Sequence, residues 1–124
     1  MWQTTVKSKV EIRGVGLHTG KESRIIISPA SADTGIVFNF AKNSFTKIKV
    51  DSMVISTNRG TILAHNEYSI YTVEHILSAL NGLEIDNVEI IVDGEEIPSC
   101  DGSAKTFVDK LKEAGIEILN KKRE

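Results

Sequence analysis

A single cysteine, Cys100, has no second thiol to pair with, which excludes an internal disulfide framework and suits a reducing compartment. No uninterrupted apolar run approaches the roughly 18–20 residues of a membrane span, so no transmembrane segment is expected. The polar N-terminus does not read as a signal peptide. Neither charge dominates: 15 basic against 17 acidic residues leave a net charge of -2 with the basic residues dispersed, so there is no footprint for nucleic acid. Histidines number three, His18, His65 and His75, a scarcity that later constrains any metal site. What remains is ordinary for a globular, cytosolic domain: 40% hydrophobic and 26% charged residues over 124 positions, enough for one core and not for two. The basic run Lys121-Lys122-Arg123 before Glu124 reads as a solvated tail or linker, giving an expected domain over residues 1–119 and a tail over 120–124.

The first half alternates with period two. Val6, Ser8, Val10 and Ile12 point one way over residues 5–12, and a glycine-rich loop follows at Gly14, Gly16 and Gly20. Further β-patterned runs cover 24–28, 36–40 and 47–50, separated by turn chemistry at Ser28-Pro29 and Asp33-Thr34-Gly35. Residues 53–57 and 60–64 read as a hairpin about Asn58-Arg59-Gly60. The period then changes. Val73, Ile76, Leu77 and Leu80 at i, i+3, i+4 and i+7 predict an amphipathic helix over 72–81, stopped by Asn81-Gly82. An apolar strand at 87–92 and a second helix at 104–114 follow, the helix capped by Asp101 or Ser103 and closed by Gly115. Strands first, then two helices with one strand between them, predict an α+β fold: a single mainly antiparallel sheet covered on one face by two helices.

Chemistry concentrates on Glu74-His75. At ~100° per residue the predicted apolar stripe puts His75 ~150° from its centre and Glu74 ~110° from it, above the small Ser78 and Ala79. A carboxylate adjacent in sequence to a ligating histidine can take the proton of a metal-activated water without occupying the metal. A Glu-His pair on a helix fits a plain solvated face as well. A catalytic zinc usually takes three protein ligands, and the chain offers no convincing set. His18 and Glu22 have i, i+4 spacing but sit in a glycine-rich, β-patterned stretch. His65 reads as a strand end or turn, and Cys100 lacks a CxxC partner. The loop Gly14-Val15-Gly16-Leu17-His18-Thr19-Gly20 lacks the GxxxxGK[ST] phosphate-binding arrangement and reads as a tight β connection needing glycine dihedrals.

That glycine loop, Thr72-Val73-Glu74-His75, Ile85-Asp86-Asn87-Val88, and Glu96-Ile97-Pro98 followed by Asp101-Gly102-Ser103 form an ordered set of blocks over almost the whole chain. Together they closely resemble the UDP-3-O-acyl-N-acetylglucosamine deacetylases, zinc amidases of lipid A biosynthesis. The resemblance is to the N-terminal domain of a two-domain enzyme whose site lies between its halves. It implies that His75 is a ligand of Zn2+ and Glu74 the general base. His18 and the loop about Ser56-Thr57 are implied to approach the site mouth, and Asp101 to support it or to cap the second helix. The remaining ligands, a His-x-x-x-Asp pair, and the histidine that protonates the leaving amine belong to a C-terminal deacetylase domain, the implied partner. Ser99-Cys100 replace the more apolar pair usual before Asp-Gly-Ser, a departure that bears on local packing. The implied substrate is UDP-3-O-acyl-N-acetylglucosamine, and the implied location is cytoplasmic, at most peripheral to the inner membrane. Two further readings stay open: a non-catalytic folding module that is inactive without its C-terminal partner, and a dimer sharing one metal through two copies of His75.

Overall fold

The computed structural model describes all residues except 17–18, 42–45, 51–53, 57–61, 66–67, 95, 99–103 and 124. The elements follow in the order β1 (Trp2–Val6), β2 (Val10–Val15), β3 (Glu22–Pro29), β4 (Ile36–Phe40), β5 (Thr46–Lys49), β6 (Val54–Ser56), β7 (Ile62–His65), β8 (Tyr68–Tyr71), α1 (Glu74–Gly82), β9 (Val88–Asp93), α2 (Lys105–Ala114) and β10 (Ile116–Lys122). The fold is α+β. Its main sheet has the order β2-β3-β9-β4-β5 and is antiparallel except where β4 and β9 run parallel. Beyond the single expected sheet, the described residues form two smaller ones, β6-β7-β8 and β1-β10. The expected hairpin is present, with Val54 opposite Ala64 and Ser56 opposite Ile62, and β8 adds a third strand to it. No helix among the described residues is long and apolar enough to cross a membrane.

Both helices bury one face against the main sheet. Ile76, Ala79 and Leu80 of α1 and Phe107, Leu111 and Ala114 of α2 share one core cluster with Ile25, Ile27, Phe38, Phe40, Val88, Ile90 and Val92. Each large aliphatic or aromatic side chain in that layer contributes about 1.5–3 kcal/mol by leaving water. Strand β9 shows the pattern most plainly: Val88, Ile90 and Val92 are buried while Glu89, Ile91 and Asp93 alternate on the other face. That other face carries paired charges, including Arg24 to Asp93 at 3.7 Å and Lys47 to Glu89 at 3.3 Å.

Residues 5–12 are not one strand. The Lys7 N–H donates to the Gly115 carbonyl at 2.9 Å and the Ser8 hydroxyl to the Ala114 carbonyl at 3.2 Å, so the end of α2 captures the chain there. The residues before that point pair with β10, and those after it pair with β3. An unbroken alternation of residue types therefore spans two sheets.

Helix α1 starts at Glu74 rather than near residue 72 because Thr72 has φ 60°, outside the right-handed helical region. Its end is equally tertiary in character. Glu84, not Gly82, takes the left-handed conformation (φ 55°), with its N–H on the Asn81 carbonyl at 3.1 Å and the Ile85 N–H on the Leu80 carbonyl at 2.9 Å. This is a Schellman closure made by a non-glycine residue, with Ile85 returning to the core. Helix α2 has Ala104 at its N-cap, which offers no side-chain acceptor, while the expected caps Asp101 and Ser103 lie outside the described residues. Gly115 closes α2 as expected, at φ 82°.

The expected loose tail from residue 120 is instead tied down as far as Arg123. Asn120 to Lys122 belong to β10, which pairs antiparallel with β1. Arg123 reaches Asp86 through Nε and Nη2 at 2.8–3.0 Å, and its N–H donates to the Met1 carbonyl at 2.7 Å. The Asp86 hydrogen bond holds the guanidinium in its charged form, raising its pKa. Asp86 also accepts from the Thr4 N–H at 2.9 Å, and buried Asn87 bonds the Gln3 side chain at 3.0 Å and the Gly35 N–H at 2.9 Å. The Ile85-Asp86-Asn87-Val88 block is thus a clamp that fastens the β1–β10 ribbon beside β9.

Lys121 forms a further ion pair with Asp33, and this hydrogen bond, followed by that of Gln3, holds the Asp33 carboxyl below its ordinary 3.8. A depressed folded pKa gives stability that is complete above the unfolded value and disappears as pH falls through the lower, folded one. Amide exchange in β10, normalised to that of β9, is expected to rise as pH drops below about 3.8, with added salt shrinking the difference because the pair is exposed. A constant β10-to-β9 ratio from about pH 5 to pH 3 would show that the pair does not hold the strand.

Candidate active site

The Glu74-His75 pair occupies the first two positions of α1, where backbone N–H groups lack intrahelical partners and a carboxylate is favoured by the helix dipole. Buried Val73 before the pair and buried Ile76 after it anchor the backbone to the core, which fixes where both side chains emerge. The Glu74 and His75 side chains are 39% and 34% exposed, with Oε1 and Nε2 4.0 Å apart, beyond hydrogen-bond reach. Glu74 Oε2 is shielded from solvent and has no hydrogen-bond partner among the described residues. A shielded acceptor left unpaired costs about 1–3 kcal/mol, so a donor from outside the described residues is favoured there.

The helix is rotated from its sequence-based orientation. Ala79 is buried and Leu77 only partly so, which shifts the apolar stripe toward the His75 side. With Val73, Ile76, Ala79 and Leu80 inward, His75 lies ~115° from the stripe centre and Glu74 ~145° from it, the reverse of the expected ranking. Ala79 belongs to the same core cluster as Phe107 and Leu111 of α2, the helix that packs beside α1. Ser78, one turn below Glu74, is exposed as expected. Among the described residues no group of three or more His, Cys, Asp or Glu side chains comes together, so His75 stands as a single potential ligand. His18, Thr57 and Asp101 lie outside the described residues, and of Ser56 only the backbone is described, at the end of β6.

Comparison with known proteins gives the pair its context. The family model of UDP-3-O-acyl N-acetylglycosamine deacetylase matches residues 3–124. The chain is 45% identical over its whole length to a UDP-3-O-acyl-N-acetylglucosamine deacetylase of Oleidesulfovibrio alaskensis, covering 41% of that protein. It is 45% identical over 94% of its length to that of Nitratidesulfovibrio vulgaris, covering 38%, and 42% identical over 97% to that of Campylobacter curvus, covering 41%. The chain belongs to this family. It spans about 40% of the length of the curated relatives it matches.

In this deacetylase family member the structure also reveals a residue that sequence reasoning passed over. Glu96, quoted only as part of a block, is almost wholly buried. One carboxyl oxygen accepts from the Thr19 N–H at 2.7 Å, the other from the Thr72 hydroxyl, and the Glu96 carbonyl accepts from the Ser23 hydroxyl. A buried glutamate on a segment of mixed polarity has no periodic signature, so nothing local marked it. The glycine loop is explained by the same group. Gly20 needs its left-handed φ of 70°, but a Cβ on Gly16 would sit 2.2 Å from Glu96 Oε1. Gly16 is thus glycine for room beside a carboxyl group, whereas the sequence suggested a need for dihedral freedom.

Proposed function

We propose that this chain is the N-terminal half of a zinc-dependent amidohydrolase that removes acetyl from UDP-3-O-acyl-N-acetylglucosamine in lipid A biosynthesis, acting in the cytoplasm. The supporting observation is the start of α1 in a member of this family: a carboxyl oxygen with no partner among the described residues, adjacent to a half-exposed imidazole. This donor set fits one ligand and one base, and it falls short of the three protein ligands a catalytic zinc usually takes. His75 would hold the metal, with the other ligands supplied by a C-terminal deacetylase domain. When bound, zinc would supply a Lewis acid for the acetamide carbonyl and a lowered water pKa.

This chain's own step is a proton transfer. Glu74 accepts a proton from the attacking water as its oxygen bonds the acetamide carbon. The C–N bond then breaks, acetate leaves, and the departing amine takes a proton from an acid of the C-terminal domain. His18, Ser56 and Thr57 would line the mouth of the site, with Asp101 supporting it. The expected boundary, with the N-terminal deacetylase domain over residues 1–119, lies within β10 (Ile116–Lys122).

The test compares zinc content and deacetylase activity of the chain alone with those of the chain joined to, or mixed with, the C-terminal domain of a relative. Alone, the chain is expected to behave as an inactive folding module; together, the two parts should turn over substrate and bind zinc. His75→Ala is expected to weaken zinc binding in the assembled form. Activity in the chain alone, or unchanged zinc affinity after His75→Ala, would overturn the half-site reading.

A further inference from the structure

The two segments of this chain proposed to face the substrate, the Gly16–Gly20 loop and the start of α1, are far apart in sequence and meet at one buried group. Thr72 immediately precedes the α1 N-cap and has φ 60°, a strained conformation for a β-branched residue that persists only where its surroundings over-determine it. What holds it here is visible: its hydroxyl donates to one oxygen of Glu96, while the other oxygen receives the Thr19 N–H at 2.7 Å. Glu96 is in turn fastened through its carbonyl to the Ser23 hydroxyl at the start of β3. The loop closes on itself through Gly16 N–H to the Lys21 carbonyl at 2.8 Å and Gly20 N–H to the Gly16 carbonyl at 2.9 Å. Gly16 leaves space for this carboxyl and for the Thr19 hydroxyl, which a Cβ would meet at 2.2 and 2.7 Å.

We propose that Glu96 is a positioning residue for the deacetylase site: through Thr72 it sets the entry angle of α1, and so the place of Glu74 and His75, and it locks that turn to the glycine loop. The inference rests on the reading of Glu74 and His75 as base and ligand. A displacement of about 1 Å at such groups lowers turnover up to about 100-fold without weakening substrate binding in step. Supporting residues around metal ligands typically govern affinity by about 10–100-fold.

The experiment uses the chain assembled with a C-terminal deacetylase domain and the variants Thr72→Val, Thr72→Ser, Glu96→Gln and Glu96→Asp, with Glu74→Ala as control. Thr72→Val keeps the branched shape and deletes the donor; it is expected to lower kcat about 10–100-fold, with KM within about threefold and zinc affinity by chelator competition reduced about tenfold or more. Thr72→Ser keeps the hydroxyl and should restore both readouts. Glu96→Gln should retain most activity, because its carbonyl can accept from Thr19 while the Thr72 hydroxyl rotates to accept from the amide. Glu96→Asp, one methylene shorter, cannot reach both partners and should behave like Thr72→Val. A folded Thr72→Val or Glu96→Asp with wild-type kcat and zinc affinity overturns the proposal, as does failure of Thr72→Ser to restore them. If Glu74→Ala keeps wild-type turnover, the underlying reading of the site fails instead; an inactive Glu74→Ala beside a wild-type Thr72→Val rejects the positioning role alone.

Discussion

Replacing Glu74 by alanine in the assembled enzyme is expected to lower kcat by about 100- to 10,000-fold, the usual contribution of a positioned general base. Zinc content should stay near wild type, because the ligand role is assigned to the neighbouring His75. Little loss of stability is expected either. The Glu74 side chain is partly exposed, and its one shielded oxygen makes no hydrogen bond among the described residues, so removing it breaks no described hydrogen bond of that oxygen and gives up only a 4.0 Å approach to His75. Steady-state kinetics, metal analysis and thermal unfolding of the same preparation separate these effects. Turnover within about threefold of wild type would remove Glu74 as the base.

The opposite signature is expected for Phe107→Ala. Phe107 is buried where α2 meets the sheet, in the cluster that contains Phe38, Ile90 and Leu111. Truncating a buried phenylalanine costs about 3–5 kcal/mol, from lost transfer energy and the cavity left behind. Against a total stability of about 5–15 kcal/mol for a domain, that brings the chain close to unfolding. With a urea dependence of about 1–3 kcal/mol per molar for a small domain, the midpoint should fall by about 2 M. Phe107→Leu, which preserves most of the volume, should lose far less. A midpoint shift below about 0.5 M for the alanine variant would mean that α2 adds little to the core. Any loss of activity in this variant should follow the unfolded fraction, in contrast to Glu74→Ala, where the protein stays folded.

Much of the fold was legible because its signals are local. β-patterned runs placed β3 and β4, and a short apolar run β9, within two residues of their observed limits, and period 3.6 placed both helices. Gly115 marked the end of α2, where a positive φ is required. Strand β10 escaped because its lysines read as a solvated charge run; only the pairing with β1 and the acidic partners Asp33 and Asp86 reveal why they are ordered. The two-sheet division of residues 2–15 escaped for a similar reason, since alternation does not say which neighbour a strand will find. At the site, Glu74 and His75 were legible as a pair, but their facing was not. Helix rotation depends on which face the surrounding elements bury, here the one that includes Ala79.

By itself the sequence determined the α+β class, the placement of most elements and the family, and it singled out the Glu-His pair proposed as base and ligand. All of these depend on residue type and spacing over a few positions. Only the tertiary structure decided how α1 is turned, why Gly16 must lack a side chain, and that Thr19, Thr72 and Glu96 converge on one buried carboxyl group. Those residues are more than twenty positions apart, and hydrogen bonds between segments so separated leave no periodic trace in the chain that folds to make them.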